Sequence, residues 1–228
     1  MWRRNLMIAW VAQILSLSAF GFAFPFLPFF IQELGVTDPD DLRLWTGLIS
    51  SAPALSMAVM APIWGVISDR FGKKIMLLRA MLFGAVILVT LSLAQSARAV
   101  FLLRIAQGAL TGTMTASAAL IATGTPRAKL SYALGMLSSS NFIGISLGPL
   151  IGGLAAERFG YRPSFIVGAV VMLAGFVLVL TSIHESSTDG ADEADVAPDA
   201  DSTTARGPDR PDVAKRAGWS HAKRVAPR

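Results

Sequence analysis

The sequence contains no cysteine, and its only two histidines, His184 and His221, lie near the carboxyl end. Without thiols the chain can form neither a disulfide framework nor a thiolate metal site. Charged residues are also scarce, at 15% of the 228 residues, whereas soluble domains carry about 25%. These absences exclude disulfide-stapled folds and cysteine metal centres, and we predict no bound cofactor and no metal site.

Apolar sequence is abundant: 53% of the residues are hydrophobic and the mean hydropathy is +0.55. A spanning helix needs roughly 20 mostly apolar residues. Six stretches of that kind occur, with one arginine inside the third (Arg79) and one inside the fourth (Arg104). We therefore predict an all-α membrane protein with six transmembrane helices. The predicted bounds are Leu6–Ile31, Leu44–Ser68, Ile75–Ser96, Ala99–Gly124, Leu130–Ala156 and Pro163–Ile183.

The basic residues indicate an orientation in the membrane rather than a nucleic-acid partner. Apart from Arg79 and Arg104, those of the first 183 residues lie in short loops between apolar runs, where they favour the cytoplasmic side. An amino terminus placed inside gives eight cytoplasmic bases against four outside, which predicts that both termini are cytoplasmic. The cytoplasmic set is Arg3, Arg4, Arg70, Lys73, Lys74, Arg79, Arg127 and Lys129; the outer set is Arg43, Arg98, Arg158 and Arg162.

The composition changes abruptly after Ile183. Residues 185–201 hold seven acids and no base, and residues 206–228 hold seven bases and two acids, with little apolar sequence in either part. Such a segment cannot bury enough surface to fold. We predict a six-helix bundle over residues 1–183 and a disordered cytoplasmic tail over 184–228, which is either a solvated linker or a weak contact with anionic membrane lipid.

An internal repeat relates residues 65–74 to residues 153–162. Glycine, acid, arginine, phenylalanine and glycine recur at identical spacing, 88 positions apart, shortly after a proline in each copy. Three predicted helices separate the copies, and an odd number places them on opposite faces of the membrane. The pattern predicts a 3+3 inverted repeat, which is an architecture of membrane transporters.

The first copy of the repeat resembles a known family motif. Its spacing of glycines, acid and bases is similar to the loop G-x-x-x-D-R-x-G-R/K-R/K of the major facilitator superfamily, which implies a gating loop that changes with conformation. Glycines permit a tight turn, and the acid offers a partner for a base or a helix end in an opposing half. A plain topology anchor is the alternative. The residues are Gly65, Asp69, Arg70, Gly72, Lys73 and Lys74.

The predicted fourth helix has one polar face. Arg104, Gln107, Thr111 and Thr115 share a narrow stripe at helical spacing, with Gly108 beside it. A buried arginine costs roughly 2.5–3.5 kcal/mol on insertion scales, so we expect a wet cavity or a partner, with snorkelling to the interface as the alternative. Arg-x-x-Gln-Gly also resembles the superfamily's fourth-helix motif, which implies proton coupling through Arg104, Gln107 and Gly108.

The predicted fifth helix carries a ladder of glycines that permits close approach of a second helix. It resembles the antiporter motif G-x-x-x-G-P-x-x-G-G of drug:proton exporters; ordinary packing or self-association is the alternative. Its residues are Gly144, Gly148, Pro149, Gly152 and Gly153.

The first predicted helix provides a possible substrate surface. Residues 24–30 resemble the first-helix pattern of twelve-helix drug:proton antiporters, and an aromatic face with one amide suits a lipophilic substrate, including a cationic one. Phenylalanines that face lipid are the alternative. The predicted substrate cavity comprises Gln13, Phe20 and Phe24 on this face, with Thr111 and Asn141 from the fourth and fifth helices.

Together the motifs resemble the amino-terminal six-helix half of a bacterial multidrug exporter. The resemblance implies a multi-pass protein of the cytoplasmic (inner) membrane that is no enzyme, with a lipophilic small molecule, protons and a second half or homodimer as partners. No Asp or Glu lies deep in the predicted spans, so any coupling carboxylate lies elsewhere, or Arg104 acts differently. A truncated or frame-shifted exporter without transport, and a non-transporting membrane binding partner, remain alternatives.

Overall fold

The computed structural model describes residues 2–22 and 26–183, except for the side chain of Asp69. Helices account for nearly all of these residues, which contain no strand. The predicted tail, both histidines and Phe24 lie outside the described residues. The helices are α1 (Trp2–Gly21), α2 (Leu27–Glu33), α3 (Pro39–Phe71), α4 (Lys73–Ser92), α5 (Ala97–Leu110), α6 (Thr113–Gly124), α7 (Leu130–Phe159) and α8 (Tyr161–Ser182), with a 3-10 turn at Arg127–Lys129 before α7.

Five of the six predicted spans are long and apolar enough to cross a membrane, judged by length and composition. The first predicted span corresponds to α1 and α2, and the polar residues Arg4, Asn5 and Gln13 lower the hydropathy of α1. Its crossing of the membrane stays a prediction. The five spans are Pro39–Ser68, Lys73–Ser92, Ala97–Gly124, Arg127–Phe159 and Tyr161–Ser182.

The fourth span is interrupted, whereas the sequence predicts one continuous helix over Ala99–Gly124. That prediction is wrong at residues 111–112, where α5 has ended and α6 has not begun. Gly112 has a φ of 141° there, in a region that glycine enters without the steric cost borne by other residues. Flanking threonines add to the effect because they are poor helix formers.

Helix α1 packs against α7 and α8 and, less extensively, against α6. Ala9 and Ala19 of α1 are completely buried, and small residues of this kind let helix backbones approach closely where no water drives association. Helix α3 packs mainly on α5 and is the least buried of the five apolar spans. The bundle therefore has a well-packed side around α1 and an open side along α3.

The two copies of the sequence repeat adopt the same backbone turn. Gly72 has a φ of 88° between α3 and α4, and Gly160 has a φ of 85° between α7 and α8. Each glycine N–H donates to the carbonyl four residues earlier, at 3.2 Å for Ser68 and 2.9 Å for Ala156. The likeness between the copies thus extends from sequence to local structure.

Helices α4 and α8 run antiparallel, and at each end of the pair a basic residue of one helix forms hydrogen bonds to the other helix. Lys74 Nζ, at the start of α4, donates to the carbonyl oxygens of Leu180, at 3.2 Å, and Ile183 at the end of α8. Arg162, at the start of α8, donates to the carbonyl of Ser92 at the end of α4, at 3.0 Å. All three bonds satisfy carbonyls that a helix end leaves unpaired. The two repeat loops therefore lie at opposite ends of this helix pair.

Candidate functional site

Arg104 lies on α5 and is buried, with 5% of its surface exposed. One guanidinium nitrogen donates to Gln107 Oε1 at 3.1 Å, so the two residues that the sequence places one turn apart are in contact. Arg104 Nε is buried and has no hydrogen-bond partner among the described residues. The charge thus lies inside the bundle with an amide as its neighbour.

The predicted polar stripe is divided by the break after α5. Arg104, Gln107 and Thr111 are buried, and the Thr111 hydroxyl donates to the Gln107 carbonyl at 2.6 Å. Thr115 belongs to α6, is exposed, and donates to the Gly112 carbonyl at 2.9 Å. The prediction that all four residues share one face of a single helix is therefore wrong for Thr115.

Gly108 is a packing position between α5 and α3. A Cβ atom there would lie 2.7 Å from the carbonyl carbon of Pro53 and closer still to the Pro53 oxygen and the Ser56 hydroxyl. Such distances are shorter than real side chains tolerate. The absence of a side chain at Gly108 therefore allows α3 to lie against α5 next to Arg104.

Gln13 connects α1 to α6. Its side-chain nitrogen donates to the Thr113 hydroxyl at 3.4 Å, and its oxygen accepts from the Ser117 hydroxyl at 3.0 Å. Only 1% of Gln13 is exposed. The amide is thus committed to helix–helix bonds, and its predicted role toward a substrate stays a prediction.

The remaining predicted cavity residues are dispersed. Phe20 is half-buried, and its ring lies where a Cβ at Gly84 of α4 would come within 2.9 Å. Asn141 is half-buried on α7. In the first-helix pattern, Phe26 stacks on Tyr161 with centroids 5.5 Å apart, and Phe30 packs against Phe165. This part of the aromatic pattern therefore joins α2 to the start of α8.

The glycine ladder of α7 faces the backbone of α1. A Cβ at Gly148 would lie 2.8 Å from the Ser18 carbonyl oxygen, and one at Gly152 would lie 2.5 Å from Phe22 Cα. Gly144 similarly meets Leu17 at 2.6 Å. Gly153, on another face, has no heavy atom within 4 Å, and Pro149 lies within the helix. Three of the five motif residues thus form one contact surface.

A cavity of about 190 Å³, partly open to the outside, lies among α3, α4 and the break in the fourth span. It brings together residues of the predicted gating loop, Gly65 and Lys73, with Thr111 and Thr115 of the polar stripe. Gln13, Phe20 and Asn141 lie elsewhere. The structure therefore joins two of the predicted motifs at one cavity and separates them from the first-helix face.

Sequence reasoning missed two residues of this cavity, Trp64 and Arg79. The Arg79 guanidinium carbon lies 3.3 Å from the centroid of the Trp64 ring, and the indole N–H donates to the Ala109 carbonyl at 2.6 Å. A spacing of fifteen residues across a turn gives no periodic signal for such a pair. The charge of Arg79 inside a span was the one available indication.

The sequence of the chain matches the Major Facilitator Superfamily over residues 9–227. The chain belongs to this superfamily. It is a multi-pass membrane protein of a transporter family rather than an enzyme. The match extends beyond the described residues into the tail, so the predicted domain boundary after residue 183 stays a prediction.

Similar proteins include three called multidrug resistance protein MdtG. Those from Escherichia fergusonii, Citrobacter koseri and a Rahnella species are 42%, 44% and 42% identical to this chain over 184 residues. In each case the alignment covers 81% of this chain and 45% of the relative. The chain therefore spans about half the length of the curated relatives it matches.

Proposed function

We propose that this chain acts in multidrug efflux, as one six-helix half of a transporter that exchanges a lipophilic small molecule for protons. It works with a second half, supplied either by another six-helix segment or by a second copy of the chain. The location is the bacterial cytoplasmic membrane, with both termini cytoplasmic. The observation that carries the proposal is the 42–44% identity to multidrug resistance proteins over 81% of the chain.

The open side of the bundle supports a second half. Large apolar residues along α3 and α7 are exposed, among them Leu55, Val59, Phe142 and Leu154. In a membrane such side chains contact either lipid or another bundle, and helices that line the interface between two halves would be exposed in one half alone. Alternating access by rocking of the halves then exposes the substrate first to the cytoplasm and then outside.

Arg104 is the proposed coupling residue of this half. Its guanidinium is buried beside Gln107 with one nitrogen unpaired, and charges inside membranes mark proton and substrate pathways. Among the described residues, no Asp or Glu lies deep within a span. The proton-carrying carboxylate therefore belongs to the second half in this proposal. Arg104 interacts electrostatically with that carboxylate when it is ionised.

The proposal is tested by measuring proton-gradient-driven efflux of a lipophilic fluorescent dye from bacteria that lack their own exporters. The chain is expressed alone and together with the carboxyl-terminal half of the Citrobacter koseri relative. We expect efflux when a second half is present, and loss of efflux in Arg104→Ala. Arg98→Ala, which removes an exposed arginine of the same helix, is the matched control and should keep wild-type efflux.

Two outcomes would contradict the proposal. Wild-type efflux by Arg104→Ala would remove the coupling role of this arginine while leaving transport in place. No efflux from any combination, although both halves are shown to be in the membrane, would contradict the transporter function. Crosslinking of the chain expressed alone distinguishes a homodimer from dependence on a separate second half.

A further inference from the structure

The cavity among α3, α4 and the broken span is lined by two basic residues. Lys73 and Arg79 both line it, and no acidic residue does so among the side chains that the structure describes. The low dielectric of the bundle strengthens the interaction between the Arg79 guanidinium and any charge that enters the cavity. An anion there would be attracted to it, whereas a cationic substrate would be repelled.

The backbone at the break adds to the positive charge. Gly112 and Thr115 of the first turn of α6 line the cavity, and Gly112 provides no side chain to cap the helix. The first N–H groups of a helix have no partner within it, and the helix dipole places partial positive charge at this end. Together with the two cations, this turn makes the site a set of groups that favours negative charge.

Arg79 is held in place but incompletely paired. Its guanidinium stacks on Trp64, which is itself fixed by the hydrogen bond to Ala109. Arg79 Nε and one terminal nitrogen have no hydrogen-bond partner, and neither does the neighbouring Ser68 hydroxyl, among the described residues. Buried polar groups are normally satisfied, so Arg79 keeps hydrogen-bonding capacity that the described residues do not use.

The rest of the cavity wall is apolar and includes Met57, Met76 and Ala119. A site with cations at one end and apolar side chains at the other fits a molecule with an anionic head and an apolar body. Lys73 begins α4, and Arg79 lies less than two turns further along it, which is the depth at which lipid head groups meet a span.

From these observations we propose that the cavity binds the phosphate head of an amphipathic anion, with Arg79 and Lys73 as its charge partners. The inference goes beyond the proposed function and does not depend on transport. A membrane phospholipid and a soluble phosphorylated compound present the same head-group chemistry. The two sources are separated by the arms of the experiment.

The experiment uses the purified full chain. Native mass spectrometry counts the lipids retained after extraction from vesicles of equal parts phosphatidylcholine and phosphatidylglycerol. We expect preferential retention of one phosphatidylglycerol. Arg79→Gln should weaken it about 10-fold or more, because the substitution removes a charged hydrogen-bond donor. Arg79→Lys should keep most of the binding, and Arg98→Gln, an exposed arginine away from the cavity, should bind like the wild type.

Competition with inorganic phosphate identifies the source of the ligand. Displacement of the lipid by phosphate supports a site for soluble phosphorylated compounds, and retention of the lipid supports a site for membrane phospholipid. The proposal is overturned if the wild type does not discriminate phosphatidylglycerol from phosphatidylcholine and is not bound by phosphate. Equal binding by Arg79→Gln and the wild type would overturn it as well.

A second measurement, made on the wild-type chain, tests the proposal even if a variant fails to fold. Thermal unfolding of the wild-type chain is followed in phosphatidylcholine alone and in the mixed lipid, and with inorganic phosphate added. A ligand that binds only the folded state raises the unfolding temperature. An unfolding temperature that is the same in all three conditions would contradict an anion site.

Discussion

At the scale of single residues, two identical amino acids have different roles according to what faces them. Gly152 and Gly153 are neighbours in α7, but Gly152 meets the backbone of Phe22, directly after α1, whereas Gly153 faces open space. Sequence spacing distinguishes the ladder face from its surroundings. It does not show which helix the ladder meets, because that depends on contacts between residues distant in the chain.

Replacing Gly152 with alanine should therefore destabilise the bundle. The new Cβ would lie 2.5 Å from Phe22 Cα, so α1 and α7 would have to separate. Overpacking of this kind costs about 1–3 kcal/mol. Gly153→Ala should be neutral or slightly stabilising, since alanine is the better helix former. Thermal unfolding in detergent measures both variants, and equal unfolding temperatures would show that the two positions do not differ in packing.

Residues 104 and 107 were predictable because helical spacing alone brings them together. Gln13, Trp64 and Arg79 were not, because each finds its partner on a helix that sequence periodicity does not specify. For Gln13 the sequence indicates a polar group that must be satisfied but not by what. The hydroxyls of α6 become its hydrogen-bond partners only in the folded bundle.

At the scale of elements, the bounds of the spans follow from hydropathy, and the breaks do not. Hydropathy is averaged over many residues, so a two-residue interruption at Thr111 and Gly112 leaves no mark on it. Pro53 and Pro62, the stronger breakers in composition, lie inside the continuous helix α3. Transmembrane helices tolerate prolines because neighbours satisfy the freed backbone groups.

Trp64 should stabilise the break. Its indole N–H satisfies the Ala109 carbonyl, which lost its helical partner where α5 ends. Trp64→Phe keeps an aromatic ring but removes this bond, so we expect a loss of about 1–3 kcal/mol for a part-buried carbonyl left without its donor. Trp45→Phe, which keeps an aromatic ring against Phe101, is the control. Chemical unfolding in mixed micelles gives the comparison, and a Trp64→Phe variant as stable as the control would exclude this role.

The paired bonds between α4 and α8 predict local effects at two different places. Lys74→Gln should speed hydrogen exchange at the end of α8, where Leu180 and Ile183 lose their donor. Arg162→Gln should speed exchange at the end of α4 instead, where Ser92 loses its donor. Mass spectrometry of exchanged peptides locates each change. A uniform increase across the bundle in both variants would contradict specific end contacts.

At the scale of the whole molecule, the sequence repeat predicted the inverted relation of the two loops, and the antiparallel α4–α8 pair places them at opposite ends. The all-α class and the superfamily followed from hydropathy and motif spacing. The orientation relative to the cytoplasm did not follow from the packing of the bundle. It depends on which end faces which compartment.

Labelling of single cysteines resolves that orientation. The chain has no cysteine of its own, and Phe71 and Phe159 are both 62% exposed at equivalent positions of the repeat. In intact cells a maleimide that cannot cross membranes should modify Phe159→Cys but not Phe71→Cys, which should react only after permeabilisation. Reaction of both variants from the same side would contradict the inverted topology.

The hydrogen bonds that Lys74 and Arg162 form between α4 and α8 have a mechanical consequence. Hydrogen bonds join the two helices at both ends, so the pair resists sliding along its axis and resists separation at either end. We expect the two helices to move as one rigid body during any rearrangement. Bending would then concentrate in the thinly packed α3 and at the hinge-like glycine of the fourth span.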